Sequence, residues 1–368
     1  MQLFGSKSLS YLGVDIGNAG IKIVELKNEN GRPRLVTYGY ADFPVSSTIN
    51  KHQETEVEIA SLIKKICSGA GVTTNKTIAA LPNFSVFSSV ISLPQMKKNE
   101  LDQAVLWEAK KFVPLPIEEM NLYSEVIEEQ KIESDKKKEE SKKEDREEKE
   151  SEKGKHLKVL IVAAPKKNVD RYMKIFQTAE MDLINLETES FALERSLVGH
   201  ENVPVMIIDI GSVSADISIV DRGIPVINRI VDTGGASITR RIAKMINVDL
   251  KRAEQFKKDI GFSTAANSGQ GVPRAIESSI EPIINEIKYC FDLYSSQGED
   301  KRVEKVVLTG GSAYLPNLVE YLSKLLNIKV IIGDPWARVI YPVELKTVLD
   351  QIGPRFAVAV GLAMREIE

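Results

Sequence analysis

The sequence predicts a protein of two lobes, built from strands and helices, that face each other across a nucleotide-binding cleft. Two observations support this prediction. The tripeptide Asp-Ile-Gly occurs twice, at 15–17 and 209–211, and each copy follows an apolar strand and leads into a second strand. The chain has 368 residues, which is long for one hydrophobic core and sufficient for two lobes.

Each Asp-Ile-Gly copy has the chemistry of a phosphate-binding hairpin. Glycine has no Cβ to obstruct a polyanion, and it permits the positive φ angles that turn backbone N–H groups toward phosphate. The carboxylate before it, Asp15 or Asp209, can hold a hydrated Mg²⁺ that contacts the phosphates. A single Asp-x-Gly is also typical of an ordinary hairpin turn. Two copies in equivalent settings favour a clamp around one nucleotide.

Composition excludes several other classes of protein. A net charge of −3 provides no global basic field, so we expect no nucleic-acid partner. The two cysteines, Cys67 and Cys290, exclude a disulfide framework and a cysteine-rich zinc site. The three histidines lack metal-ligand spacing. No apolar run approaches the ~18–20 residues that cross a bilayer, and the first residues lack a secretory signal, so we predict a cytosolic protein.

Hydrophobic periodicity divides the rest of the chain into strands and helices. The predicted strands cover 34–40, 77–81, 85–93, 121–129, 157–164, 225–231, 303–308 and 329–332. The predicted helices cover 56–68, 98–113, 167–179, 186–197, 249–260, 273–297, 316–326 and 357–364, and a further helix opens at Ser237.

One segment, 131–155, consists almost entirely of Lys, Glu, Asp, Ser and Arg in near charge balance. It contains too little apolar surface to offset the entropy of ordering, which favours disorder. A solvated single helix held by Glu–Lys pairs is the alternative. Without this segment the flanking strands would form a hairpin, so we interpret it as a loop insertion inside a folded subdomain.

Five elements, in this order, resemble the actin-like ATPase superfamily, which includes actin, the heat-shock ATPases, sugar kinases and the division protein FtsA. They lie at 15–22, 186–197, 209–216, 309–312 and 360–363. In that superfamily the corresponding motifs are called phosphate 1, connect 1, phosphate 2, adenosine and connect 2. The resemblance implies an α/β protein with an actin-like two-lobed ATPase fold that binds ATP and Mg²⁺ in the cleft.

The resemblance also implies roles for individual residues. Asp15 and Asp209 match the acids that hold Mg²⁺ through its waters. Glu189 matches the catalytic position of connect 1 that orients the attacking water, and its alternative is a solvated glutamate at a helix start. The positions that match nucleotide-binding residues are Gly17, Asn18, Lys22, Gly211, Ser212, Gly234, Gly235, Glu254, Lys257, Gly310, Gly311 and Ser312.

Within this set, Lys22 matches the lysine that actin points at the phosphates; a strand lysine facing solvent is the alternative. Gly234 and Gly235 resemble the glycine pair whose amides meet phosphates at a helix N-terminus. Glu254 and Lys257 match a pair that reaches the ribose and base, and an exposed pair one helical turn apart is the alternative. The loop 310–312 matches the one on which adenine rests.

Within the superfamily, three segments, 3–26, 109–116 and 187–193, look closely like the type IV pilus assembly family PilM. The insertion after the third strand is shared with FtsA, but we find no C-terminal amphipathic membrane helix of the FtsA kind. The predicted domains are 1–41 and 181–200 for the first lobe (1A), 42–180 for an FtsA/PilM-type inserted subdomain (1C), 201–237 and 301–368 for the second lobe (2A), and 238–300 for subdomain 2B.

Resemblance to PilM implies a cytoplasmic ATP-binding scaffold of the type IV pilus, or of a related secretion pseudopilus, with weak or no ATPase activity. It implies binding to the cytoplasmic N-terminal tail of a PilN-like single-pass membrane protein, so that contact with the membrane is indirect. Pilus motor ATPases are further expected partners. The alternatives are an FtsA-like bacterial actin in cell division and a small-molecule kinase of the same fold.

Overall fold

A computed structural model of the chain describes residues 9–43, 55–131, 155–262, 272–298 and 301–367. The strands are β1 (Ser10–Gly17), β2 (Gly20–Glu29), β3 (Arg32–Asp42), β4 (Lys76–Leu81), β5 (Phe87–Pro94), β6 (Met120–Lys131), β7 (Lys155–Pro165), β8 (Asp182–Thr188), β9 (Val205–Ile210), β10 (Ala215–Asp221), β11 (Ile224–Val231), β12 (Lys305–Thr309) and β13 (Lys329–Ile332). The α-helices are α1 (Glu56–Ala70), α2 (Lys98–Phe112), α3 (Lys166–Thr178), α4 (Glu189–Leu197), α5 (Gly235–Ile246), α6 (Leu250–Ile260), α7 (Val272–Ser295), α8 (Leu318–Leu326) and α9 (Lys346–Met364).

Two sheets with the same strand order form the frame of the larger of two compact units. The first sheet has the order β3-β2-β1-β4-β8 and the second β11-β10-β9-β12-β13. In each, the first three strands along the chain pair antiparallel, and the last two join in parallel. The parallel joins need crossover connections, and helices supply them. The repeated topology is the two-lobed arrangement that the sequence predicts.

The helix predicted over 186–197 is wrong in its first turn. Residues up to Thr188 belong to β8, which pairs in parallel with β4 from Lys76↔Asp182 to Leu81↔Thr188. The helix α4 begins only at Glu189. Pairing with β4 keeps these residues extended as far as Thr188, and this tertiary contact prevails over the helical spacing of the apolar residues that follow.

Two helices, α4 and α9, pack between the sheets, and they come so close that only glycine fits at the contacts. A Cβ on Gly361 of α9 would overlap the carbonyl oxygen of Ala192 in α4. A Cβ on Gly13 of β1 would overlap the carbonyl oxygen of Ala359 in α9. These contacts hold connect 1 and connect 2 against each other and against the first phosphate hairpin.

Helix α9 begins eleven residues before the predicted helix 357–364 and passes through Pro354. Proline has no N–H to donate to the carbonyl of Asp350, one turn earlier. The hydroxyl of Tyr314 donates to that carbonyl instead. The carbonyl of Pro354 in turn accepts from the amide of Gly310 at 3.0 Å and from Thr309 Oγ1 at 2.9 Å. These bonds allow the helix to continue past a residue that normally ends one.

The smaller unit, Ser85–Val169, contains the three-stranded sheet β5-β7-β6 and helix α2. Its core includes Val105 and Ala109 of α2 packed on Val159 and Ile161 of β7. Strands β6 and β7 pair antiparallel as far as Lys131↔Lys155, which confirms the predicted hairpin. The charged residues between those two positions lie outside the described residues.

The smaller unit, Ser85–Val169, covers fewer residues than the inserted subdomain predicted over 42–180. Strand β4 lies inside the first sheet, between β1 and β8. Helix α1 packs on β3, where a Cβ on Gly39 would come within 2.8 Å of Ile66 Cγ2. Both elements therefore belong to the larger unit. Among the described helices, none combines the length and apolar character that crossing a bilayer requires.

Substituting Gly361→Ala should separate α9 from α4 and lower the free energy of unfolding by about 3 kcal/mol, because the added methyl meets backbone that has little freedom to move. Gly69→Ala is the matched control, since Gly69 also lies in a helix but nothing is within 4 Å of its added Cβ. We expect that variant to be equal to or slightly more stable than the parent. Urea unfolding of both variants measures the difference, and equal stability would contradict the close crossing.

Candidate functional site

Both Asp-Ile-Gly hairpins place an aspartate in the cleft of the larger unit, but the residue opposite that aspartate differs between them. In the first hairpin, Asp15 of β1 stands directly opposite Lys22 of β2. In the second, Asp209 of β9 stands directly opposite Asp216 of β10. Equivalent positions of the repeated topology thus hold a base in one lobe and an acid in the other.

The first hairpin is a compact ion pair. Lys22 Nζ lies 3.3 Å from Asp15 Oδ2, and both residues are buried. A Cβ on Gly17 would lie 3.0 Å from the same ammonium, so glycine leaves the lysine room at the turn. The alternative interpretation of Lys22 as a strand lysine that faces solvent is therefore wrong. Asn18 completes the turn and also makes contacts within the protein.

The second hairpin leaves polar atoms without partners. Within the described residues, the buried atoms Ser212 Oγ and Asp216 Oδ1 have no hydrogen-bond partner. The other carboxylate oxygen of Asp216 accepts from Ser214 Oγ at a long 3.4 Å. Buried polar atoms without partners cost free energy. A site for a polar ligand is the natural reason to keep them.

Burial raises the pKa of two carboxyls of the second hairpin, Asp209 and Asp216. Burial raises the pKa of Asp209 to about 7, with Asp216 and Asp15 adding to the effect and Lys22 opposing it. Burial likewise raises the pKa of Asp216 to about 6, against the influence of the Asn83 and Ser214 side chains. Removal from water disfavours the ionised form of both carboxyls, and nearby like charges add to this effect at Asp209.

Glu189 joins this cluster from the first turn of α4. Its Oε2 accepts from the backbone amide of Asn83 at 2.9 Å. Burial raises the pKa of the Glu189 carboxyl well above its ordinary value, and the neighbouring Asp216 and Asp15 raise it further. A simply solvated glutamate, the alternative interpretation, would show no such environment.

Asn83 is a site residue that the sequence analysis missed. Its side-chain oxygen accepts from Ser190 Oγ at 3.0 Å and from the Ser190 amide at 3.3 Å. Ser190 Oγ lies 2.7 Å from Asn228 Oδ1, which also accepts from Ser218 Oγ at 2.8 Å. This network links the turn after β4 and helix α4 to β10 and β11 of the second sheet. Asp216 was likewise missed as a site residue, although its place in the second hairpin was the available signal.

Glu254 and Lys257 of α6 form the second polar cluster of the cleft together with Thr239 of α5. Lys257 Nζ lies 2.7 Å from Glu254 Oε2, 3.0 Å from Thr239 Oγ1 and 3.1 Å from the carbonyl of Gly235. Thr239 Oγ1 is 2.6 Å from Glu254 Oε2. Lys257 is only 6% exposed, so the alternative of an exposed surface pair is wrong.

Burial lowers the pKa of Lys257, and Glu254 opposes that effect. Burial would raise the pKa of Glu254, but the ammonium of Lys257 outweighs it and holds that pKa below its ordinary value. The Glu254 carboxyl is therefore ionised at neutral pH, and hydrogen bonds to Thr239 and Gly235 hold the pair in place.

The glycine pair at the start of α5 is used differently from the expectation. The amide of Gly235 donates to the carbonyl of Gly211 at 2.9 Å, and the amide of Ala236 donates to the carbonyl of Ser212 at 2.8 Å. The Gly235 amide is thus occupied within the protein and not presented to phosphate. A Cβ on Gly234 would lie 2.7 Å from that same carbonyl of Gly211. The pair allows α5 to dock on the second hairpin.

The loop predicted to hold adenine adjoins the acids. Gly310 has φ +86°, and a Cβ there would overlap Asp209 Oδ1. Ser312 donates its amide to the carbonyl of Ile210 at 3.1 Å. Gly311 has no heavy atom within 4 Å of an added Cβ, so the space beside its backbone is open. That open face suits a flat base.

The donor set fits a hydrated metal better than a directly bound one. No group of three or more His, Cys, Asp or Glu side chains is arranged to ligate an ion within the part of the chain that the structure describes. Asp15 and Asp209 lie on facing hairpins, and Asp216 offers an oxygen without a partner. Mg²⁺ keeps several of its waters when it binds phosphates and carboxylates, so this arrangement is compatible with it.

Comparison with known proteins gives a family match over almost the whole chain. A family model described as type IV pilus assembly protein PilM matches residues 13–141 and 145–367. Two curated relatives are cell division proteins FtsA. The one from Neisseria meningitidis serogroup B is 26% identical over 182 residues, or 44% of this chain and 42% of the relative. The one from Pseudomonas aeruginosa is 25% identical over 204 residues, or 50% and 47%. The matches thus span less than half the length of these relatives.

Solved structures with the same fold span the chain. A PilM–PilN type IV pilus biogenesis complex gives a TM-score of 0.78 at 24% identity and covers 98% of this chain and 99% of that one. The ethanolamine utilization protein EutJ from Carboxydothermus hydrogenoformans gives 0.56 at 16% identity, with 97% and 89% covered. MreB5 of Spiroplasma citri bound to AMPPNP gives 0.50 at 12%, with 96% and 94% covered. The chain therefore has the actin-like ATPase fold.

The raised pKa of Asp209 predicts how the unliganded chain responds to pH. The unfolded aspartate ionises near pH 4 and the folded one near 7, so stability falls as the pH rises through that window. Asp209→Asn removes the ionised form. We expect the variant to exceed the parent in unfolding free energy by about 2 kcal/mol near pH 8, and to match it near pH 4.

Asp221→Asn is the matched control for this prediction. Asp221 accepts from Tyr294 Oη at 2.8 Å and pairs with Lys301. Burial alone would raise the pKa of Asp221, but Lys301 and Tyr294 hold it below its ordinary value. The control should therefore lose stability near pH 8. Urea unfolding in the presence of a chelator measures both, and a loss of stability in the Asp209 variant near pH 8 would contradict the electrostatic cluster.

Proposed function

The chain belongs to the type IV pilus assembly protein PilM family, and we propose that it is an ATP-binding scaffold of the pilus assembly platform. The observation that carries the nucleotide part is the convergence of two phosphate hairpins on one cleft. Lys22 provides a buried cation beside the predicted phosphate position, and Asp15, Asp209 and Asp216 provide oxygens for a hydrated Mg²⁺. The bound ion would neutralise the negative charge of the triphosphate. The carboxylates cannot do this themselves, because they are also negative.

Other groups of the cleft would bind the remainder of ATP. The open backbone at Gly311 suits the adenine ring. Glu254 and Lys257 of α6 point toward α5, where Thr239 holds their carboxylate and amino groups in place. Such a pair can hydrogen-bond ribose hydroxyls and base edges. The nucleotide bound in a relative of the same fold, MreB5 with AMPPNP, supports this placement.

We expect slow or absent hydrolysis. Glu189 occupies the position for orienting an attacking water, but burial and neighbouring acids raise the pKa of its carboxyl well above the ordinary value. A raised pKa keeps more of the carboxyl protonated at a given pH, and a protonated carboxyl cannot accept a proton from water. The function of the nucleotide in this proposal is to hold the two lobes in one arrangement.

The proposed partner is the cytoplasmic N-terminal tail of a PilN-like single-pass membrane protein, which would place this chain at the inner face of the cell membrane. The PilM–PilN complex of the same fold supports that choice. The tail could bind by strand addition at the predicted strand 77–81 or at 85–93. Strand 77–81 is unsuitable, because β4 is flanked by β1 and β8. Strand β5 is an edge of its sheet and offers unpaired backbone groups. Motor ATPases are further proposed partners.

The nucleotide site is tested with Asp209→Ala. Loss of this acid leaves triphosphate charge less well neutralised, so Mg²⁺-dependent ATP binding should fall by at least about tenfold. Isothermal titration calorimetry with Mg·ATP measures the change, and Asp221→Ala controls for loss of a nearby acid outside the cleft. Unchanged affinity in a folded Asp209 variant would exclude the assignment.

The partner site is tested by a pull-down with the cytoplasmic N-terminal tail of the PilN-like membrane protein that is encoded next to this chain. A variant in which a Gly/Ser linker replaces residues 85–169 should lose the tail but still bind Mg·ATP, because every cleft residue lies in the larger unit. The matched control deletes only 132–154, joining Lys131 to Lys155 by a tight turn. That control should keep both the tail and the melting temperature of the parent.

Equal binding of the tail by all three proteins would place the partner site outside the smaller unit. Binding by none of them would argue for an FtsA-like or kinase function.

A further inference from the structure

Four polar side chains meet where helix α4 of the first lobe packs on the second sheet. Asn83 and Ser190 come from the first lobe, and Ser218 of β10 and Asn228 of β11 come from the second. Ser218 and Asn228 stand directly opposite each other in the antiparallel pairing of β10 with β11. Asn83, Ser190 and Ser218 are buried, which strengthens the hydrogen bonds among them.

Ser190 is the centre of this network. Its Oγ lies 3.0 Å from Asn83 Oδ1, within the first lobe. Toward the second lobe, the same oxygen lies 2.7 Å from Asn228 Oδ1 and 3.2 Å from Ser218 Oγ. A serine hydroxyl carries one proton, so Ser190 donates to one of these oxygens at a time. Because two of its three neighbours belong to the second lobe, this hydroxyl connects α4 to β10 and β11.

A repulsive contact lies beside this network. Asp216 and Ser218 are two residues apart on β10, so they share one face of the sheet, and Glu189 and Ser190 are neighbours at the start of α4. Burial raises the pKa of the Glu189 carboxyl, and the charge of Asp216 raises it further. Like charges on facing lobes favour separation of those lobes. Hydrogen bonds between the lobes at the adjacent positions oppose that separation.

We propose that Asn83, Ser190, Ser218 and Asn228 form an interlobe latch that holds the cleft closed in the absence of nucleotide. The cleft then receives its ligand in a preformed state. If only a fraction of the molecules were closed, the apparent affinity would fall by that fraction, so the latch strengthens binding without touching the ligand. This consequence for ATP rests on the proposed nucleotide site, whereas closure of the unliganded cleft does not.

Pulsed electron–electron double resonance between one spin label on each lobe measures the closure directly. The labels are attached through Ser61→Cys of α1, which packs on β3, and Lys324→Cys of α8, which packs on β13; both positions are exposed. The native cysteines carry Cys67→Ala and Cys290→Ala. Without nucleotide this labelled parent should give one narrow distance distribution, and Mg·ATP should leave it unchanged.

Ser190→Ala should broaden the distribution toward longer distances in the unliganded chain, and Mg·ATP should narrow it again. Its affinity for Mg·ATP should fall by about fivefold, because part of the population must close before binding. Ser218→Ala removes a hydroxyl of the second lobe and should act in the same way, so it repeats the test if Ser190→Ala does not fold.

Ser196→Ala is the matched control. Ser196 is a buried serine of the same helix, and its hydroxyl donates within α4, to the carbonyl of Leu193 at 3.4 Å. This variant should match the labelled parent in distance distribution and in affinity for Mg·ATP.

Three outcomes would overturn the latch. The first is a narrow distribution in both latch variants, and the second is equal broadening in Ser196→Ala, which would indicate general loosening of the fold. The third is a broad distribution in the unliganded parent that Mg·ATP narrows, because the nucleotide alone would then close the cleft. Broadening in the latch variants with no response of any protein to Mg·ATP would instead support the latch and exclude the proposed nucleotide site.

Discussion

The geometry of the cleft depends on backbone contacts where α9 crosses β1 and α4. Gly13 and Gly361 permit these contacts, since a Cβ at either position would overlap a carbonyl oxygen. Ion pairs and a hydrogen bond also stabilise this crossing. Arg195 Nη1 donates to Glu187 Oε1 at 2.8 Å and to the carbonyl of Gly361 at 2.7 Å, and Arg365 pairs with the same glutamate. Because α4 follows the first sheet and α9 follows the second, this joint sets the distance between the two hairpins.

The cleft formed in this way gathers acidic side chains, which lowers the stability of the unliganded fold and is typical of a ligand-binding site. Asp15, Asp209, Asp216 and Glu189 share one region, and Lys22 is the cation that opposes them at the hairpins. Burial raises the pKa of Asp209, Asp216 and Glu189, and like charges raise it further at Asp209 and Glu189. With a pKa of about 7, Asp209 binds a proton near neutral pH in the unliganded cleft. A cationic ligand stabilises the folded chain by replacing that proton. Strained electrostatics of this kind concentrate at functional sites.

The sequence was sufficient to predict what local pattern controls. The paired hairpins and the β6–β7 hairpin follow from period and turn chemistry, and both are present. The predicted helix 186–197 includes the last three residues of β8, because apolar residues at helical spacing continue from Leu186 into α4. The length of α9 was underestimated because Pro354 suggests a helix end, while the hydroxyl that satisfies the Asp350 carbonyl comes from distant Tyr314. Asn83 could not be found, since its importance arises from contacts with Glu189 and Ser190, over 100 positions away.

Two residues of the larger unit, Asn83 and Tyr172, lie close in sequence to the boundaries of that unit and interact with the acids of the cleft. The chain leaves the larger unit after Phe84, directly beyond Asn83, whose amide donates to Glu189. It returns at Asp170, two residues before Tyr172. Burial raises the pKa of the Tyr172 hydroxyl, and the charges of Glu189 and Asp15 raise it further. The amide of Asn83 bonds directly to the Glu189 carboxylate, so a shift of the loop after β4 would change the environment of that carboxyl.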